Sequence, residues 1–203
     1  MTITMSPYEA GILAFGLTAI SYRLVCTERE KLELAKAATT DSLTGLVNRA
    51  GFEARLHTEF LTTGRYKRPL SLLLIDLDGF KRQDAFGHAA GDRTLEAIGL
   101  TIKRTVRVTD ITARYGGDEF AVLMPFTPAE KALALAERAL AAIAATPTPI
   151  GTVTASIGVA TADFAMQHAS ALIEKADMAL YRAKANGRNL VVQAGSMPVM
   201  ASI

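Results

Sequence analysis

A short apolar run that stops on an acid constrains this chain most. Leu70–Ile75 (LSLLLI) ends at Asp76, and a continuous run of that length reads as a strand buried on both faces. The segments after it alternate helix and strand. Ala90–Val106 carries helical spacing through Leu95, Ile98 and Ile102. Ile111–Tyr115 and Phe120–Met124 flank Gly116-Gly117, a hairpin signal. Thr127-Pro128-Ala129-Glu130 reads as a capping box with Pro at the first helical position, opening a helix to about Ala145. Val153–Ala160 is a further strand, Ser170–Ala185 a further helix and Leu190–Gln193 a last short strand. From Leu70 to Ala160 the order is β-α-β-β-α-β. The expected fold is therefore α+β with a ferredoxin-like core, extended by a C-terminal helix and strand.

With 203 residues, half of them hydrophobic, the chain can bury a core, which excludes disorder and a staple-dependent mini-fold. The 22 Lys+Arg against 20 Asp+Glu give only +2, so no broad basic field exists and no nucleic-acid partner is expected. The lone Cys26 cannot form an internal disulfide, which points to a reducing compartment. His57, His88 and His168 lie far apart in sequence, without zinc-ligand spacing.

The two ends of the chain differ. From Met1 to Tyr22 the only charge is Glu9. Ser6–Val25 is long enough to meet the ~20 residues that span a bilayer, and Arg23, Arg29 and Lys31 follow it. A membrane anchor that leaves the remainder in the cytoplasm is one reading of residues 1–26. A helix docked on the domain, or a dimerisation helix, is the other. Residues 27–40 (TEREKLELAKAATT) are rich in helix formers and read as a stalk, or alternatively as a solvated helix packed on its own domain. The main domain is expected over 41–195, followed by a tail at 196–203.

The carboxylates carry the chemistry. Asp76 and Asp78 fall at the carboxyl end of the first strand, and Asp118 and Glu119 on the turn of the central hairpin. In this fold those strands are neighbours at the middle of the sheet, so the acids meet at one edge. Clustered carboxylates repel unless a cation lies between them, and hard oxygen ligands suit Mg²⁺ or Mn²⁺. Two such ions lower the pKa of an attacking hydroxyl and neutralise a leaving pyrophosphate.

Ala113–Phe120 (ARYGGDEF) resembles the signature of the GGDEF-domain family, the diguanylate cyclases. Asp41–Arg49 (DSLTGLVNR), Asp76–Lys81 (DLDGFK), Phe86–Asp92 (FGHAAGD), Thr154–Ala160 (TASIGVA) and Ala176–Asn189 (ADMALYRAKANGRN) resemble further motifs of that family, in order. The resemblance implies a palm core, as in nucleotide cyclases and polymerase palms. It implies condensation of two GTP molecules into cyclic di-GMP with release of two pyrophosphates, by a homodimer with two Mg²⁺ or Mn²⁺ ions per active site. The catalytic domain would be cytoplasmic, held at the inner membrane if the N-terminal segment is an anchor.

By the same resemblance, Asp76, the backbone carbonyl of Leu77, Asp118 and Glu119 would hold the metal, with Asp118 or Glu119 helping to deprotonate the ribose 3′-hydroxyl. Gly79, Phe80, Lys81, Lys184 and Arg188 would hold the triphosphate. Asp92 would read the base, because a carboxylate accepts from guanine N1–H and its amino group but faces an acceptor at adenine N1. Helix-end and helix-start electrostatics are the plainer readings of Lys184, Arg188 and Asp92. Arg107 and Asp110 match the family's RxxD inhibitory site, and Arg138 a further product-binding position, which implies feedback by cyclic di-GMP. Between Lys81 and Gly87 the chain is one residue shorter than the family pattern and lacks its asparagine, leaving Gln83 as the nearest amide for guanine. An active cyclase is the first reading. A catalytically weak domain that binds GTP or cyclic di-GMP and signals through a partner is the alternative.

Overall fold

The computed structural model describes residues 23, 27, 29, 37–80, 87–163 and 165–195. The candidate anchor (bar Arg23), most of the stalk, Lys81, Gln83 and the tail therefore lie outside the described residues. The chain divides into two units, 1–38 and 39–203. In the first, the described residues are helical and exposed, and the Thr27 hydroxyl donates to the Arg23 carbonyl at 2.8 Å. Among the described residues no helix is long and apolar enough to cross a membrane.

The second unit is built on five strands: β1 (Leu70–Leu77), β2 (Ile111–Arg114), β3 (Glu119–Pro125), β4 (Ala155–Thr161) and β5 (Val191–Gln193). They lie in the order β2-β3-β1-β4-β5, antiparallel throughout except for the parallel β4–β5 edge. This is the ferredoxin-like order with one added edge strand. Four helices accompany it: α1 (Arg49–Tyr66), α2 (His88–Thr105), α3 (Ala129–Ala144) and α4 (Ser170–Ala185).

Strand alternation explains why β1 is apolar on both faces. Leu73, Ile75 and Leu77 pack with α2 and α3 through residues such as Ile98, Ile102 and Ala136. Leu70, Leu72 and Leu74 pack with α1 and α4 through Phe52, Leu56, Leu172 and Leu180. The sheet is thus a central layer with helices on both sides. Each fully buried aliphatic side chain contributes about 1.5–3 kcal/mol. At Gly158 on β4, a Cβ would collide with the Ala176 carbonyl and the Leu180 amide, so α4 rests on β4 backbone to backbone.

The expectations for α3 and for the end of β1 need correction. The Thr127 capping box does not form: Pro128 is extended (φ −75°, ψ 164°) and holds the N-cap position itself, so the helix starts at Ala129. The Thr127 hydroxyl instead donates to the Pro125 carbonyl at 3.1 Å, and its carbonyl accepts from buried Ser71 at 2.7 Å. Strand β1 also runs two residues beyond Ile75, because Asp76 and Leu77 stay paired with β4.

Candidate active site

Register brings the first acids together. Asp76 pairs with Glu119 of β3 on one side and Ser156 of β4 on the other. Alternation places Asp76 with Leu74 on the face covered by α4, where Lys184 Nζ stands 2.6 Å from its Oδ2. Asp118, buried just before β3, accepts the Leu77 N–H through its carbonyl at 3.2 Å. Leu77 is itself buried and offers this edge only its backbone.

The electrostatics follow from that crowding. Burial raises the Asp76 carboxyl above its ordinary value, and the Lys184 ammonium pulls it down without cancelling the rise. The charges of Asp118 and Asp78 push it further up. Two further carboxylates thus act on Asp76 at the end of β1.

The glycine turn orients Glu119. Its carbonyl accepts from the Tyr115 and Gly116 amides at 2.8 and 3.1 Å. A Cβ on Gly116 would collide with the Glu119 carboxylate, whereas Gly117 faces open space. Arg114 braces the turn by donating from Nε (3.2 Å) and Nη2 (2.8 Å) to the Gly117 carbonyl.

Asp78 departs from the expected cluster. Its Oδ1 accepts from the Ser156 hydroxyl at 2.7 Å, and its Oδ2 accepts from the Thr154 hydroxyl at 2.8 Å and the Asn189 N–H at 3.0 Å. It joins segments of the fold and is not held out toward a ligand. These partners are distant in sequence, and only the fold reveals them.

Among the described residues no three Asp, Glu, His or Cys side chains converge as a complete cation site. The donors present are hard oxygens on Asp76 and Asp118, with backbone beside them. That partial set fits Mg²⁺ or Mn²⁺, which take one or two carboxylates and complete their shell with phosphate and water.

Gly79 follows the acids at φ 69°, and the Phe80 ring packs against Gly91. Phe80, His88, Gly91 and Asp92 line a cavity of about 130 Å³. Helix α2 begins at His88, two residues earlier than expected, and has no acid in its first turn. Asp92 therefore lies beyond the turn where the helix dipole rewards an acid. Arg188 sits on the turn after α4 at φ 63°.

A second region lies around the α2–β2 connection. Arg107, Asp110, Thr112, Arg55 and Glu59 are among the residues lining a pocket of about 620 Å³. The Arg107 N–H donates to Asp110 Oδ2 at 2.9 Å, while Asp110 Oδ1 and Thr112 Oγ1 are buried with no partner among the described residues. Arg138 approaches from α3 and donates to the Thr105 carbonyl at 2.6 Å.

Comparison with known proteins agrees with this fold. The family model described as diguanylate cyclase, GGDEF domain, matches residues 38–190. The chain is 39% identical over 171 residues to the diguanylate cyclase DgcM of Escherichia coli K12, covering 83% of this chain and 42% of that one. It is 40% identical over 162 residues to the response regulator PleD of Caulobacter vibrioides, covering 76% and 36%. The chain spans about half the length, or less, of the curated relatives it matches. Among solved structures, the coiled coil and GGDEF domain of DgcB from Caulobacter crescentus, in complex with c-di-GMP, aligns with a TM-score of 0.81 at 30% identity, covering 89% of this chain and 99% of that one.

Proposed function

Because the chain belongs to the GGDEF-domain family, we propose that it is a diguanylate cyclase, condensing two GTP into cyclic di-GMP and two pyrophosphates. The observation that carries this reading is the in-register meeting of Asp76 and Glu119, with Asp118 acting on Asp76 and Lys184 2.6 Å away.

Asp76, Asp118, Glu119 and the Leu77 carbonyl would hold two Mg²⁺ or Mn²⁺ ions. When bound, these would acidify the ribose 3′-hydroxyl and neutralise charge on the phosphates. Asp118 or Glu119 accepts the hydroxyl proton. Lys184, Lys81 and Arg188, with the amides of Gly79 and Phe80, hold the triphosphate and stabilise charge on the leaving pyrophosphate. Asp92, in its cavity beside His88 and Gly91, accepts from the guanine edge, with Gln83 as a second base contact. One site holds one GTP, so the condensation requires two protomers facing each other.

Feedback by the product belongs to the same proposal. The pocket lined by Arg107 and Asp110 is large enough for a dinucleotide fragment, and the Arg107 guanidinium suits phosphate or the Hoogsteen edge of guanine. Arg138 supplies a further guanidinium for phosphate or guanine. Membrane attachment through residues 6–25 is tested separately, by fractionating cells that make the full chain and a chain lacking residues 1–26.

The decisive experiment incubates purified, concentrated protein with GTP and Mg²⁺ and looks for cyclic di-GMP by mass spectrometry, with Asp118→Ala alongside. Product from the parent alone is expected. A folded, dimeric parent that yields none would leave the nucleotide-binding module as the reading.

A further inference from the structure

Asp78 takes no part in the reaction outlined above, yet its carboxylate joins three segments. Beyond its bonds to Ser156, Thr154 and Asn189, its own N–H donates to the Thr154 carbonyl at 2.8 Å. The bond to Asn189 has the largest consequence. Gly187, Arg188 and Asn189 have φ values of 108°, 63° and 46°. Glycine adopts such values freely and asparagine tolerates them, but arginine holds one only where the surroundings enforce it.

Two hydrogen bonds enforce them here. The Arg188 N–H donates to the Ala183 carbonyl at 3.1 Å, closing the end of α4, and the Asn189 N–H donates to Asp78. The Leu190 carbonyl then accepts from Ile157 at 3.0 Å and β5 begins. Removing Asp78 would take the acceptor from the Asn189 amide, and with it one of the two bonds that hold the left-handed pair.

We propose that Asp78 is a positioning residue, holding the Gly187–Asn189 turn so that Arg188 stands at the triphosphate. The inference rests on the reading of Arg188 as a phosphate ligand. It gives the end of β1 a double task. Asp76 anchors Lys184, Asp78 anchors the turn of Arg188, and the two cations share one frame with the acids.

The test uses the full chain with Asp78→Ala, Asp78→Asn, Arg188→Ala and the Asp78→Ala/Arg188→Ala double variant. The ligands are guanosine and a GTP analogue with a methylene bridge between the α and β phosphorus atoms, which cannot release pyrophosphate. Asp78→Ala is expected to weaken the analogue about tenfold and guanosine less than about twofold. The double variant should bind within about twofold of Arg188→Ala alone, because residues acting through one another are not additive. Hydrogen exchange of the Asn189 amide should accelerate in Asp78→Ala. Asp78→Asn, which keeps one acceptor oxygen, should show an intermediate loss of about threefold and serves if the alanine variant unfolds.

Equal loss of guanosine and analogue, additivity with Arg188→Ala, or an unchanged Asn189 amide would overturn the proposal. If Arg188→Ala binds the analogue as the parent does, the phosphate reading itself falls, and this proposal with it. If Arg188→Ala weakens it and Asp78→Ala does not, only the role of Asp78 falls.

Discussion

Arg114 grips Asp41 at the edge of the sheet, with Nη1 3.3 Å from Oδ2, and the same guanidinium donates to the Gly117 carbonyl at 2.8 Å. Asp41 opens the turn through which the chain enters the domain. Its Oδ1 also accepts from the Thr44 amide (2.9 Å) and hydroxyl (2.7 Å). Farther along that turn, Val47 bonds β2 in both directions, to the Thr112 carbonyl at 3.2 Å and from the Arg114 amide at 2.9 Å. One guanidinium therefore fastens the entry turn to the turn that carries Asp118.

That link makes Asp41 a source of pH-dependent stability. Burial raises its carboxyl, but the Thr44 donors and Arg114 outweigh burial and hold it below 3.8. A carboxyl depressed by folding contributes stability above its unfolded value, and that contribution is lost as pH falls through the folded value. Asp41→Asn should therefore cost about 1–2 kcal/mol at pH 7 through its lost charge-assisted hydrogen bonds, the gap to the parent closing as pH falls below 3.8. Urea unfolding across that range measures it. A gap independent of pH would show that Asp41 acts through packing alone.

Gly158→Ala is expected to be the more damaging change. Its Cβ would meet the backbone of Ala176 and Leu180, which no rotamer change can move aside. Overpacking of this kind costs about 1–3 kcal/mol or more, and α4 must lift from β4. Thermal unfolding should show the loss. GTP affinity should fall with it, because α4 carries Lys184 and leads to Arg188.

The core order was legible because β1, α2, β3 and α4 each announce themselves by period or by a continuous apolar run. Helix α1 does not. Phe52 and Leu56 are its only large buried apolar residues among Thr, Gly and charges, so no stripe marks it. Its sequence signal is Asn48, whose side chain accepts the Gly51 amide at 2.9 Å as an N-cap. The convergence of Asp76 with Glu119 could be read from strand order. The bracket around Asp78 could not, because Thr154 and Ser156 reach it through the pairing of β4 with β1 and Asn189 through the turn after α4.

Asp110 should matter to ligand binding far more than to folding. A buried, unpaired carboxylate oxygen already carries a desolvation penalty, so its removal returns part of what losing the Arg107 N–H bond costs. Asp110→Ala is expected to keep its melting temperature within about 2 °C while weakening cyclic di-GMP at least about tenfold. Calorimetric titration with cyclic di-GMP measures the second quantity. Undiminished affinity would place the product elsewhere.

Asp76 should show the opposite trade between stability and activity. Its carboxyl is raised, chiefly by burial, in spite of Lys184. The folded protein thus binds a proton at Asp76 more tightly than the unfolded chain does, so this residue's contribution to stability falls as pH rises through the raised value. Above that value the ionised carboxylate is a net burden to the fold, in spite of Lys184, when no metal ion offsets it. Asp76→Asn keeps the shape and removes the charge. It is expected to raise the melting temperature by about 2–4 °C in chelator, while abolishing cyclic di-GMP synthesis. Added Mg²⁺ should then stabilise the parent and leave the variant unchanged, since only a ligand bound to the folded state shifts the transition. Thermal scans with and without Mg²⁺ test both halves. A variant less stable than its parent in chelator would mean that the Lys184 bridge outweighs burial, and that Asp76 is held for the fold as much as for the metal.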